Sequence, residues 1–192
     1  MWNEEEDRQL VINSYRSYNN LEDYLLRGLS LKYKNLKKIF VSDCDGIIST
    51  NESFYSKDGK VMKSYGCYDK EMIKLMKSIG WEFIFVTADK VGYPITKARV
   101  DDLDCTLVVA DSEKRADLVR RLKDGNDIVV FIGDSISDIP ALAEADLAGT
   151  TMMAPKEVQE FCDYISEKNG GYGGFADIVN SIHNQLDYRY SL

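Results

Sequence analysis

Ile39-Phe40-Val41-Ser42-Asp43-Cys44-Asp45-Gly46 decides the fold. Its apolar half is short, β-branched and aromatic, which predicts a buried strand. The strand delivers two acids to its carboxyl end. Residues at i and i+2 of a strand point to the same side, so Asp43 and Asp45 converge on one small volume. Gly46 lets the backbone turn away. Two carboxylates that close repel by about 1 kcal/mol in water and by more where water is excluded. A cation must balance them, and a hard divalent ion such as Mg²⁺, which pairs carboxylates with substrate phosphates, is the natural candidate.

Downstream, apolar strand-like runs alternate with helical periodicity. The strands are expected at 83–86, 106–109 and 128–132, with a weaker one at 163–165. Helices are expected at 71–79, 94–103, 113–122 and 139–145, with Pro94 in a first turn and Ser112 as a cap. This β-α-β-α series predicts an α/β fold, a Rossmann-like parallel sheet with helices on both faces. Ligands of such sheets bind beyond the carboxyl ends of the strands.

One insertion interrupts the series. Residues 52–65, with Ser56-Lys57-Asp58-Gly59 as the turn, read as a β-hairpin whose Phe54, Tyr55, Val61, Met62 and Tyr65 need cover, from another subunit or from the domain itself. Residues 1–37 read as a helical appendage with Leu21, Tyr24, Leu25 and Leu29 at helical spacing; the remaining 38–192 form the main domain.

Composition narrows the function classes. With 192 residues, 44% hydrophobic and 29% charged, the chain suits one soluble domain with an appendage. A net charge of -8 disfavours long nucleic acid and favours a small, diffusible substrate. No apolar run reaches the roughly 20 residues that span a bilayer, and the acidic start is unlike a signal peptide, so a cytoplasmic location without a membrane partner is expected. Four scattered cysteines lack any C-x-x-C pair and read as reduced thiols. The one histidine, His183, is expected on a solvated helix face, which removes Ser-His-Asp and multi-histidine schemes.

The other strand ends carry Thr87-Ala88-Asp89, Lys114 at a helix start, and Gly133-Asp134-Ser135-Ile136-Ser137-Asp138. A hydroxyl and backbone N–H groups can hold phosphate, a lysine can meet an anion, and two further carboxylates can reach one metal region. In this order the motifs resemble those of the haloacid dehalogenase-like superfamily, over residues 38 to about 178. The match is closest to the capless 3-deoxy-D-manno-octulosonate 8-phosphate phosphatases, through the hairpin, Tyr68-Asp69, Lys97-Ala98-Arg99, Asp138-Ile139-Pro140 and a glycine-rich tail at 170–174.

The resemblance implies a capless fold, Mg²⁺ dependence and a homotetramer built through the hairpins, with the tail reaching a neighbouring site. It implies Asp43 as nucleophile and Asp45 as general acid and base. Gly46, Thr87, Ala88 and Lys114 would bind phosphate. Asp43, Asp134 and the main-chain carbonyl of Asp45 would hold the metal, and Asp138 would orient from behind. The expected activity is a phosphomonoesterase acting on a small metabolite, a sugar or sugar-acid phosphate. Asp89, Lys70 and Ala176 replace residues that the family usually has as arginine, glycine and arginine, which favours the chemistry over the octulosonate substrate. Two alternatives stand beside it: a nucleotide or nucleic-acid 3′-end phosphatase using the basic runs at 114–123 and 32–38, and a degenerate oligomeric binding module.

Overall fold

β1 (Lys38–Asp43) lies at the middle of a six-stranded, all-parallel sheet. Its neighbours are β4 (Trp81–Thr87) and β6 (Ile128–Ile132); β5 (Thr106–Val109) lies beyond β4, and β7 (Leu147–Thr151) and β8 (Tyr164–Ser166) lie beyond β6. The computed structural model describes residues 36–124 and 127–190, with side chains to residue 186. Leu36–Gln185 is one compact unit. The appendage expected at 1–37 lies, except for its last two residues, outside the described residues.

Every residue of β1 is buried, because helices cover both of its faces. On one face Ile39 and Val41 meet Val129 and Phe131 of β6, Val119 of a helix at Ser112–Asp124 and Ala141 and Leu142 of another at Ile139–Glu144. On the other face Phe40 stacks on Trp81 and Phe83, while Phe83 and Phe85 meet Phe175 of the last helix, Gly174–Tyr190. Burial of each large side chain contributes roughly 1.5–3 kcal/mol. Phe40→Ala would empty the centre of that layer and cost about 3–5 kcal/mol.

In chain order the helices are α1 (Tyr68–Ser78), α2 (Tyr93–Asp102), α3 (Ser112–Asp124), α4 (Ile139–Glu144), α5 (Lys156–Gln159) and α6 (Gly174–Tyr190). The antiparallel pair β2 (Ser49–Ser56) and β3 (Gly59–Tyr65) is the expected hairpin, and no cap domain accompanies it among the described residues.

Three details differ from expectation. β7 carries the run Leu-Ala-Gly-Thr-Thr, too poor in large residues to announce a strand; a side chain at Gly149 would run into Ile178 of α6, so the small residue is a packing requirement. Asp111 caps α3 through the Lys114 N–H, while the hydroxyl of Ser112 goes to the Ser137 carbonyl. His183 is half-buried with its ring edge-on to Trp81, not solvated.

Candidate active site

The carboxyl ends of β1 and β6 place the acids. After Asp43 the chain turns through Gly46 at φ +81, and the Cys44 carbonyl accepts the N–H groups of Ile48 and Ser49. Gly46 is obligatory for a second reason: a Cβ there would lie 1.9 Å from Asp134 Oδ2. The β1 turn and the β6 turn therefore touch backbone to carboxylate. After β6, a short 3-10 turn (Ile136–Asp138) forms a capping box in which Asp138 Oδ2 accepts from the Ser135 N–H at 3.0 Å and its hydroxyl at 2.8 Å.

Oxygens of Asp43, Asp134 and Asp138 lie within 4.8 Å of one another. Among the described residues, the cation that pairs with Asp43 and Asp138 is Arg115 of α3, whose side chain is 4% exposed. Its guanidinium reaches Asp43 Oδ1 at 3.1 Å, bonds Asp138 Oδ1, and donates through Nε to the Ala110 carbonyl. Three carboxylates against one guanidinium leave the cluster short of positive charge. Burial, followed by Asp138, pushes the Asp134 carboxyl up to about 7. Asp43 is raised well above 3.8 by burial and Asp138, with Arg115 opposing. An all-oxygen, anion-rich donor set of this kind suits a hard divalent cation, which would relieve both the repulsion and the raised proton affinity.

Asp45 stands apart from that cluster. Its Oδ2 accepts from Lys63 Nζ of β3 at 2.8 Å, and its Oδ1 has a 3.3 Å contact from the Ser49 hydroxyl. Thr87, at the end of β4, is buried, and its oxygen accepts from the Asp89 N–H at 3.1 Å, which leaves its own O–H to donate elsewhere. Ala88 is exposed at the mouth.

Lys114 is turned to solvent with its ammonium 2.8 Å from Asp111. The side chain that α3 sends to Asp43 is its neighbour Arg115, which lies in the basic run at 114–123. A signal was present: Arg115, Ala116 and Val119 are the buried stripe of α3, so the helical period that buries Val119 also buries Arg115. Elsewhere in that run Arg120 pairs with Asp117 and Glu144, and Lys123 with Asp146.

The glycine-rich segment folds onto this chain's own site loop. The Gly171 N–H donates to the Ile47 carbonyl, and a side chain at Gly170 would strike the Gly46 carbonyl. On the hairpin, Lys60 and Lys63 face the domain, while Phe54, Tyr55, Val61 and Met62 remain exposed.

No family model matches the chain. The 3-deoxy-D-manno-octulosonate 8-phosphate phosphatase of Haemophilus influenzae is 25% identical over 155 residues, 79% of this chain and 84% of that protein. A soluble P-type ATPase-like phosphatase of Methanocaldococcus jannaschii is 32% identical over 85 residues, 43% of this chain and 31% of that one. The crystal structure of the octulosonate 8-phosphate phosphatase of Moraxella catarrhalis, in complex with magnesium ion, phosphate ion and a KDO molecule, superposes with a TM-score of 0.69 at 21% identity, over 88% of this chain and 97% of that one. The sheet order, the hairpin after β1 and the acids at the ends of β1 and β6 give the chain the capless fold of the haloacid dehalogenase-like phosphatases, the proteins to which it is similar.

Proposed function

We propose that the protein is a Mg²⁺-dependent phosphomonoesterase that works through an aspartyl-phosphate on a small phosphorylated metabolite, a sugar or sugar-acid phosphate. The observation that carries this reading is the convergence of Asp43, Asp134 and Asp138 within 4.8 Å at the carboxyl ends of two adjacent strands. An idle binding module would have no reason to bury so many like charges.

The metal would be held by the side chains of Asp43 and Asp134 and the main-chain carbonyl of Asp45. When bound, it would supply positive charge to the transferring phosphoryl group. Asp138, its oxygens occupied by Arg115 and Ser135, acts as an orienting group. Asp43 attacks phosphorus in line, forming a carboxyl–phosphorus bond as the ester oxygen leaves. Asp45 gives that oxygen a proton and afterwards takes one from the water that cleaves the aspartyl-phosphate. Arg115 opposes the burial that raises the proton affinity of Asp43, and its guanidinium aims the carboxyl group. The Thr87 hydroxyl would meet the phosphoryl oxygens together with the Gly46 N–H, which would leave its 3.3 Å contact with the Ser49 hydroxyl, with Ala88 beside them. Lys114 would join them only by leaving Asp111.

The octulosonate phosphatases named above favour a phosphorylated sugar as substrate. Exposed Phe54, Tyr55, Val61 and Met62 support self-association through the hairpin into a homotetramer, measurable by light scattering. Among the described residues no helix is long and apolar enough to cross a membrane, and the free thiols suit a reducing cytoplasm.

The test is hydrolysis of p-nitrophenyl phosphate with Mg²⁺ and with chelator, followed by a side-by-side screen of sugar phosphates, sugar-acid phosphates, nucleotides and phosphorylated oligonucleotide ends. Turnover that requires Mg²⁺ is expected. Absence of turnover on every ester would contradict the reading, and preference for an oligonucleotide end would move the substrate to nucleic acid.

A further inference from the structure

Lys63 is unlike the other residues of the hairpin. Val61 and Met62 beside it face solvent, yet its side chain is 0% exposed. A lysine ammonium has three protons to donate, and here each has an acceptor: Asp45 Oδ2 at 2.8 Å, Asp89 Oδ2 at 2.9 Å and Thr96 Oγ1 at 2.9 Å. Burial works against the ammonium, but the two carboxylates outweigh it and hold Lys63 above its ordinary value.

The second anchor is itself fixed. Asp89 also accepts from Lys60 and, at 2.8 Å, from the Gly92 N–H. Burial would push its carboxyl up, but the hydrogen bonds from Lys60, Gly92 and Lys63 hold it below the usual range. A side chain at Gly92 would strike both Asp89 and the Lys63 stem, so the pocket around the ammonium is closed. Burying a paired charge adds little net stability. What it does provide is geometry.

We propose that Lys63 is a positioning residue, reaching in from the hairpin to lock the Asp45 carboxyl group by its Oδ2, so that Oδ1, held only by the longer 3.3 Å contact from the Ser49 hydroxyl, is the oxygen that exchanges a proton with the leaving group. The inference rests on the proposed role of Asp45. In the first step the phosphorus–ester bond breaks, the Asp43–phosphorus bond forms, and the proton on Asp45 Oδ1 passes to the departing oxygen. In the second, the same oxygen takes a proton from water as the aspartyl-phosphate is cleaved. Unheld, Asp45 would swing about its side-chain torsions and lose the alignment that proton transfer needs.

The test uses two esters of similar shape and different leaving groups. p-Nitrophenyl phosphate releases a stable anion and needs little protonation; phenyl phosphate releases a basic oxygen and needs much. Lys63→Met in the full chain should lower kcat on phenyl phosphate by about 100-fold or more, and on p-nitrophenyl phosphate by less than about tenfold, with KM little changed. Lys63→Arg should recover part of the lost ratio. Asp89→Asn, which loosens the anchor without removing the lysine, should show the same bias at smaller size, and decides the matter if Lys63→Met does not fold. Equal losses on the two esters in a folded variant would overturn the positioning role while leaving the phosphatase reading intact. A wild type inactive on both esters with Mg²⁺ would overturn that reading and this inference with it.

Discussion

Two charged clusters meet at the carboxyl edge of the sheet. At the ends of β1 and β6, Asp43, Asp134 and Asp138 share Arg115 and remain short of positive charge. At the hairpin, Asp45 and Asp89 face Lys60 and Lys63, two charges against two. The unbalanced cluster must acquire a cation from outside, which suits a metal and a phosphoryl group. The balanced cluster is complete in itself, which suits holding an acid in place. Two acids so close in sequence are thus sorted by their partners, Asp43 into the first environment and Asp45 into the second.

The largest effect expected from breaking this contrast is at Asp43. Asp43→Asn removes the nucleophile and should lower kcat by about 10⁴-fold or more; near-normal turnover in purified protein would overturn the assignment of Asp43.

Arg115 is next. Arg115→Met leaves Asp43 and Asp138 without their counter-charge in the interior, which should cost about 3–5 kcal/mol in a denaturant melt. It should also reduce turnover by about 100-fold or more. A melt unchanged from wild type would mean that the pair is not formed in solution.

The shortage of positive charge also sets a pH dependence. A carboxyl with a higher pKa folded than unfolded keeps an extra proton in the folded state between the two values. For Asp134, raised from 3.8 to about 7, stability is therefore present below 3.8 and lost as the pH climbs toward 7. Metal-free protein should melt at falling temperature across that window. Mg²⁺ should restore several degrees at about pH 8 and little at about pH 5, where protons compete for the same oxygens. Asp69, a buried carboxyl pushed to about 7 by burial with Arg99 opposing, adds to the slope, so Asp69→Asn isolates the share of the site. A Mg²⁺ shift that ignores pH would count against binding at Asp134.

The smallest effect belongs to Lys114. Its ammonium is exposed on Asp111, so Lys114→Ala should change turnover by less than about tenfold, in contrast to Arg115. A loss as deep as that of Arg115→Met would show that Lys114 leaves Asp111 for the phosphoryl group.

Much of this was legible in the residues. The apolar run before Asp43, the spacing of Asp43 and Asp45 and the glycine between the turns follow from strand period and backbone sterics, and the strands at Thr106–Val109 and Ile128–Ile132 lie where their β-branched runs end. β7 was not legible, because Gly149 is chosen for Ile178 and not for strand propensity. Neither was the division of labour among cations. The helix start alone points to Lys114, whereas the apolar period through Ala116 and Val119, which turns Arg115 inward, has to be weighed against it. Lys63 was likewise hidden, since its partners Asp45, Asp89 and Thr96 come from three separate segments and only the folded hairpin brings them to one ammonium.

The central claim is that Asp43 carries the phosphoryl group. Borohydride added during turnover with Mg²⁺ reduces an aspartyl-phosphate to homoserine, which peptide mass spectrometry locates. Homoserine at position 43, dependent on Mg²⁺ and on substrate, is the predicted result; an intact Asp43 during undiminished turnover, or reduction at another carboxylate, would contradict it.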